Sequence, residues 1–131
     1  MISIVVGAIV MFAVGALWFT VLFGMRWSKL MQRTPEQLAR VKAVGMKRPL
    51  VIMFLLNLVS CGVLYFLLPQ LLVLSTFQFL IVVFIVWLGF TLPSFMNSYL
   101  WEGRSIELML INAGGSLLGF VAGASVVYYL Q

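Results

Sequence analysis

The chain has very little charge with which to cover a water-exposed surface. Only 8% of its 131 residues are charged, 64% are hydrophobic, and the mean hydropathy is +1.19. A soluble domain has about a quarter of its residues charged. Lipid must therefore cover most of this protein, and a chain in lipid satisfies its backbone hydrogen bonds only in helices or a closed barrel. Because the uncharged runs are far longer than a barrel strand of about ten residues, the sequence predicts an all-α membrane protein.

The sequence lacks residues that several kinds of catalytic site require. The sequence contains no histidine and no aspartate, and its one cysteine is Cys61. Zinc sites built from His and Cys, and Ser-His-Asp triads, are therefore excluded or incomplete, and no cofactor is expected. Since Cys61 lies inside an apolar run and has no second cysteine to pair with, we interpret it as inert packing.

What the sequence does contain is four uncharged runs, each long enough to cross a bilayer core as a helix. We expect one transmembrane domain over residues 1–131, with spans at about 2–24, 50–68, 75–98 and 106–130. The second and third spans should be separated by a turn near Pro69-Gln70 or around Ser75-Thr76. Pro93 should kink the third span, because proline cannot donate to the helix ladder.

Basic residues are concentrated in the hydrophilic segment at about 25–49, between the first and second spans. Seven of the eight lie there: Arg26, Lys29, Arg33, Arg40, Lys42, Lys47 and Arg48. The eighth is Arg104, between the third and fourth spans. Since cytoplasmic loops carry the excess of Lys and Arg, both loops are predicted inside, and the N-terminus and C-terminus outside the cytoplasm. Basic residues beside a membrane also attract anionic lipid headgroups, and nucleic acid is not expected as a partner.

The motif Thr34-Pro35-Glu36-Gln37 within this segment is typical of a helix start. Thr34 can act as N-cap, Pro35 suits the first helical position, and Gln37 can complete a capping box. We expect the helix to continue to about Met46. The weak amphipathic pattern indicates a short cytoplasmic helix lying on the membrane surface, and an ordinary solvated connector is an equal alternative.

Glycines at four-residue spacing in the fourth span form the most specific packing signal. Gly115, Gly119 and Gly123 make a flat stripe on which another helix can approach closely. Gly7 and Gly15 give the first span matching small positions. The spacing leaves open whether the contact is within the chain or with another subunit.

Uncharged polar residues recur in the spans, where a polar side chain facing lipid is costly. They are Asn57, Thr91, Ser94, Asn97, Asn112 and Ser116. Thr91, Ser94 and Asn97 share one face of the third span, Asn112 and Ser116 share one face of the fourth, and we expect both faces to point into the bundle. We favour hydrogen bonding between helices, and the alternative is a polar path for a small solute. Three charges, Glu102, Arg104 and Glu107, lie at the predicted cytoplasmic mouth, where ion pairing is preferred over a binding or gating site.

Short motifs spread along the chain resemble domain-of-unknown-function family 1761, a family of small bacterial membrane proteins. They are Gly15-Ala16-Leu17-Trp18-Phe19, Phe23-Gly24, Trp27, Trp87-Leu88-Gly89-Phe90, Asn97, Tyr99, Trp101-Glu102, Arg104 and Ile111-Asn112-Ala113-Gly114. The resemblance implies a four-span protein of the bacterial inner membrane and brings no established activity.

The chain departs from the family pattern at two places. The family tends to have a proline after the first aromatic motif, where Thr20-Val21-Leu22 stands here. It often has an aromatic-His pair after Asn-Ala-Gly, where this chain has Gly115 and Ser116. Any proton or metal role of that histidine therefore does not transfer to this chain.

Three functions fit these features to different degrees. We prefer a non-enzymatic membrane protein that self-associates or serves as an accessory to another membrane protein. The alternative is an oligomeric channel or transporter for ions or small solutes, lined by the Asn, Ser and Thr faces. An intramembrane enzyme using Glu102 or Glu107 is the least favoured, because no histidine, aspartate or activated thiol supports it.

Overall fold

The structure, a computed structural model, describes residues 1–71 and 75–130, and every regular element in these ranges is helical. The helices are α1 (Ile2–Leu17), α2 (Gly24–Met31), α3 (Pro35–Val44), α4 (Lys47–Leu67), α5 (Thr76–Phe90), α6 (Leu92–Leu100) and α7 (Ile106–Leu130). A π-helical turn, Trp18–Leu22, follows α1, and a 3-10 turn, Leu68–Leu71, follows α4.

Four helical segments are long and apolar enough to cross a membrane, which confirms the predicted number of spans. Their bounds are Ile2–Leu22, Lys47–Leu71, Thr76–Leu100 and Ile106–Leu130. The second segment begins three residues before the expected Leu50, because Lys47 and Arg48 join the helix. Long basic side chains can lie at the end of a span while their charged groups reach water. The chain is thus a multi-pass membrane protein by its architecture.

The third span is interrupted beside Pro93, where the sequence predicts a kink. Helix α5 ends at Phe90, and Pro93 is the second residue of α6. The backbone N–H of Ser94 donates to the carbonyl of Thr91 at 3.1 Å, which closes the tight turn between the two helices. The break lies before the proline because its ring restricts the preceding residue and it has no N–H to donate.

The basic segment contains two helices, whereas the sequence analysis expects one. Helix α2 is the additional element, and it ends at Met31, because Gln32 adopts a left-handed backbone conformation with a φ of 49°. Helix α3 begins with the expected capping box: the Thr34 hydroxyl accepts from the Gln37 N–H, and the Gln37 side chain accepts from the Thr34 N–H. It ends at Val44, because Gly45 adopts a φ of 77°. All residues of α3 are exposed, and its amphipathic role at a membrane surface stays a prediction.

Helix α7 lies at the centre of the bundle. It contacts α1, α2, α4, α5 and α6, and α1 also packs along α4. The larger buried cluster joins four helices at the end of the bundle away from α2 and α3: Ala8, Cys61, Leu64, Leu68, Phe79, Val83, Ala124 and Val127. Phe79 stacks on Tyr128 there, with ring centroids 4.4 Å apart.

Helices α1 and α7 approach closely at Gly7. A Cβ atom at Gly7 would lie 3.0 Å from Val127 Cγ2, 3.1 Å from Cys61 Sγ and 3.3 Å from the carbonyl oxygen of Gly123. Cys61 itself is fully buried in this contact. The absence of a side chain at Gly7 is therefore what allows α1, α4 and α7 to meet.

Gly15 does not share this role, which corrects the prediction that it is a small packing position of the first span. A Cβ atom there would have no atom within 4 Å. Gly7 and Gly15 are eight residues apart, about 80° around a helix with 3.6 residues per turn, so they need not face the same neighbour. Only Gly7 faces the crowded side.

These two glycines give a matched test of the contact. Gly7→Ala should lower the free energy of unfolding by about 1–3 kcal/mol, because added volume in a filled core forces the backbone apart. Gly15→Ala should be neutral or stabilise slightly, since alanine favours helix and meets open space. Thermal melting of the purified protein in detergent measures both. Equal melting temperatures for the two variants would contradict the assigned contact.

Candidate functional site

The indole of Trp18 lies directly on the backbone of α7. Its N–H donates to the carbonyl oxygen of Ile111 at 2.8 Å. A Cβ atom at Gly115 would lie 2.6 Å from Trp18 Cδ1, and one at Gly114 would lie 2.9 Å from its Cζ2. Glycine at both positions is thus what allows the ring to reach a helix carbonyl.

Two further indoles bind the polar residues that α7 presents. Trp27 of α2 donates to Asn112 Oδ1 at 3.0 Å, and Trp87 of α5 donates to Ser116 Oγ at 3.3 Å. Together with Trp18 they form a tryptophan cluster (Trp18, Trp27 and Trp87) around the first half of α7. A buried indole N–H needs an acceptor, and α7 supplies one to each of the three. Asn112 and Ser116 therefore act as hydrogen-bond acceptors between elements.

The glycine stripe of α7 serves two different neighbours. Gly115, Gly119 and Gly123 are all buried. Gly115 faces Trp18, whereas a Cβ atom at Gly123 would lie 2.5 Å from Met11 Cε in α1. Gly119 has more space, since its nearest neighbour would be Met11 Cγ at 3.6 Å, an ordinary van der Waals contact.

The other polar residues are not gathered with Asn112 and Ser116. Asn57 is half-buried on α4, and Thr91 borders an apolar groove of about 610 Å³ between α4 and α5. Ser94 and Asn97 lie on α6, a helix without any buried residue, and both are exposed. The expectation that the face of Ser94 and Asn97 points into the bundle is therefore wrong for the single chain.

An ion pair ties α2 to the first turn of α7. Arg26 donates to both carboxylate oxygens of Glu107, at 2.5 Å from Nε to Oε1 and 2.6 Å from Nη2 to Oε2. The hydrogen bond and the charge of Glu107 raise the pKa of Arg26 above its ordinary value. Both side chains are about half exposed, where an ion pair contributes little stability and mainly fixes geometry.

The connector between α6 and α7, residues 101–105, packs against the end of α2. Gly103 has a φ of 70°, and the Arg104 N–H donates back to the carbonyl of Ser98 at 3.2 Å. The Arg104 guanidinium then donates through Nη1 to the carbonyl of Met31 at 3.2 Å. Glu102 is exposed. Among the three charges at this mouth, Glu107 thus forms the ion pair and Arg104 binds backbone.

We call the end of the bundle formed by α2, α3 and residues 101–105 the basic end. Arg33 lies over the Trp27 ring, with Cζ 5.2 Å from the ring centroid. A cavity of about 290 Å³ opens between the α2–α3 turn and the connector, and Arg33, Arg40 and Arg104 are among its lining residues. The remaining basic residues of the segment are exposed: Lys29, Lys42, Lys47 and Arg48.

Metal ligands do not come together in the described part of the chain. In residues 1–71 and 75–130, no three His, Cys, Asp or Glu side chains form a group that could hold a metal ion. The groups that do converge are the indole donors of the tryptophan cluster and their acceptors on α7. This arrangement suits the joining of helices better than proton transfer.

The role of the tryptophans as donors is not predicted from the sequence, where Trp18, Trp27 and Trp87 enter only as parts of the family motifs. The signal available in the sequence is the pair Gly114-Gly115, since two adjacent glycines leave a helix face open to a large flat ring. A tryptophan in an apolar span also requires an acceptor.

Alanine substitutions at Gly115 and Gly119 test this interpretation of the stripe. Gly115→Ala should lower the free energy of unfolding by about 1–3 kcal/mol, because the hydrogen-bonded indole of Trp18 cannot move aside without losing its acceptor. Gly119→Ala should be tolerated, and its melting temperature and tryptophan fluorescence should match those of the parent. If Gly119→Ala destabilises as much as Gly115→Ala, the stripe packs against a helix backbone throughout and the indole contact is not decisive.

A comparison with known proteins identifies the family of this chain. The motifs that carry Trp18 and Asn112-Ala113-Gly114 are far apart in sequence and meet in the structure. No characterised protein and no solved structure matches the chain. The model of the family described as "Protein of unknown function (DUF1761)" matches residues 2–128, nearly the whole chain. The chain therefore belongs to the DUF1761 family.

Proposed function

We propose that this is a non-enzymatic protein of the bacterial inner membrane that acts by self-association, with α6 at the interface. The observation that carries the proposal is the exposure of Ser94 and Asn97 within a membrane-length segment, Thr76–Leu100. Among the described residues neither side chain has a hydrogen-bond partner. A polar side chain facing lipid is costly, so association that supplies a partner is favourable.

A second copy of this chain is the partner that the chemistry of α6 fits best. The Asn97 amide has both donors and an acceptor, so two copies can pair their amides reciprocally across a two-fold axis. Ser94, one turn earlier on the same face, can extend the contact. An accessory role on another membrane protein would use the same face with a different partner.

Association is better supported than a channel. The residues that would line a polar path are divided between separate places: Asn112 and Ser116 accept from indoles, whereas Ser94 and Asn97 lie on the outside of α6. An enzymatic role for Glu107 is also disfavoured, because both its oxygens are bound to Arg26.

The proposed orientation places the basic end in the cytoplasm and both termini outside. It is supported by the contacts that hold the two basic regions at one end, Arg26 with Glu107 and Arg104 with Met31. Tyr128 and Tyr129 lie at the opposite end, where Tyr129 shares a hydrogen bond with Thr76 at 2.6 Å. Anionic headgroups of the inner leaflet would then face the exposed lysines and arginines.

Substitutions on α6 test self-association. Ser94→Ala with Asn97→Leu should abolish most energy transfer between labelled copies in liposomes, because the polar contacts between copies are removed. Thr20→Val is the matched control: Thr20 is also exposed in a span, but its hydroxyl already donates to the carbonyl of Ala16. Energy transfer that is absent in the parent, or unchanged in the double variant, would refute self-association through α6.

Cysteine labelling tests the orientation. In a Cys61→Ala background, a cysteine replacing exposed Gln70 should react with an impermeant maleimide in intact cells. A cysteine replacing exposed Gln37 should react only after the cells are opened, because the basic end is held inside by the distribution of Lys and Arg. Labelling of position 37 in intact cells would reverse the proposed topology.

A further inference from the structure

We propose that the cavity at the basic end is a binding site for a phosphate group. It lies between the α2–α3 turn and residues 101–105, has a volume of about 290 Å³, and is lined by Met31, Arg33, Gln37, Arg40, Val41 and Arg104. This volume is at the lower end of the range for ligand pockets, which suits a small charged group. The inference goes beyond self-association, and only the lipid form of the ligand rests on the proposed orientation.

The charges of the lining specify an anion. Three arginines, Arg33, Arg40 and Arg104, line one concavity, and the residues that line it, taken from the described part of the chain, include no carboxylate. Arginine presents several N–H donors in a planar fork that matches phosphate oxygens. The Gln37 side chain adds a polar group, although its Oε1 accepts from the Thr34 N–H as part of the capping box. A phosphate group is the ligand whose charge and acceptors match this set.

Two of the arginines are held in place without a ligand. Arg104 donates to the carbonyl of Met31, and Arg33 lies over the ring of Trp27. Both residues are also partly buried, whereas Arg40 on α3 is exposed. Side chains that are already ordered lose less conformational freedom on binding, so the cavity is better prepared for an anion than a loose cluster of surface lysines.

The position of the cavity allows two sources for the phosphate. The first helical residue of α7, Ile106, follows the connector that carries Arg104, so the cavity opens beside the end of a membrane-length helix. A phospholipid headgroup and a soluble phosphate ester present the same chemistry at this place. The experiment below separates them.

Binding should depend on Arg40 and not on its basic neighbour Lys42. Both residues are exposed on α3, but only Arg40 lines the cavity. In the first measurement, full-length protein in phosphatidylcholine nanodiscs is titrated with glycerol 3-phosphate. In the second, phosphatidic acid is added to the nanodisc lipid, and its retention by the protein is measured by native mass spectrometry. Arg40→Gln should weaken binding at least about tenfold, as expected for lost charge-assisted hydrogen bonds. Lys42→Gln should change it by about threefold or less, because it removes the same charge outside the cavity.

The outcomes distinguish a soluble phosphate ester, a lipid headgroup and the absence of a specific site. Binding of glycerol 3-phosphate that is lost in Arg40→Gln assigns the site to a soluble phosphate ester. Retention of phosphatidic acid alone, again lost in Arg40→Gln, assigns it to a lipid headgroup. If neither probe binds, or if Arg40→Gln and Lys42→Gln weaken binding equally, the arginines are a diffuse surface charge and the proposal fails. Energy transfer between copies should be unaffected by Arg40→Gln, so failure here is distinguishable from failure of self-association.

Discussion

The close approach of α1 to α7 is the contact on which the rest of the bundle depends. In lipid, burying one apolar side chain against another gains little, so helices associate through close packing and polar contacts. Gly7 and Gly123 provide the first, since a Cβ atom at Gly7 would lie 3.3 Å from the Gly123 carbonyl. Helix α4 joins at the same level, because Cys61 Sγ lies against both glycine positions. Three of the four spans thus meet where α1 and α7 have no side chain at Gly7 and Gly123.

The tryptophan cluster continues this arrangement toward the basic end with a different kind of contact. The absence of side chains at Gly114 and Gly115 leaves room for the indole ring of Trp18, and the N–H of this ring donates to a helix carbonyl. Trp27 and Trp87 attach α2 and α5 to the same half of α7. In the pattern that the resemblance implies, an aromatic-His pair often stands where this chain has Gly115 and Ser116. A bulky residue at position 115 would occupy the space of Trp18, so this chain's indole contact depends on its own glycine.

Predictions from sequence succeed where they rest on the physics of the bilayer and on local hydrogen bonding. The number of spans follows from the length of the uncharged runs, and the capping box at Thr34 follows from four adjacent residues. They fail where the outcome depends on which side of a helix faces a neighbour. Gly15 matches the expected spacing as well as Gly7 does, yet it meets nothing within 4 Å. The sequence predicts that Ser94 and Asn97 face inward, yet both are exposed on α6.

The basic end is ordered by contacts that lead back to the core of the bundle. Asn112 on α7 accepts from the indole of Trp27, and the ring of Trp27 lies beneath Arg33 at the cavity of the basic end. Arg26 and Glu107 hold α2 to the same helix five residues earlier. Since seven basic residues are concentrated in one segment, their mutual repulsion would favour an open, disordered loop. The contacts with α7 oppose this repulsion and keep Arg33 and Arg104 at one cavity. An anion bound there would reduce the repulsion further, which is why a phosphate ligand and an ordered basic end should stabilise each other.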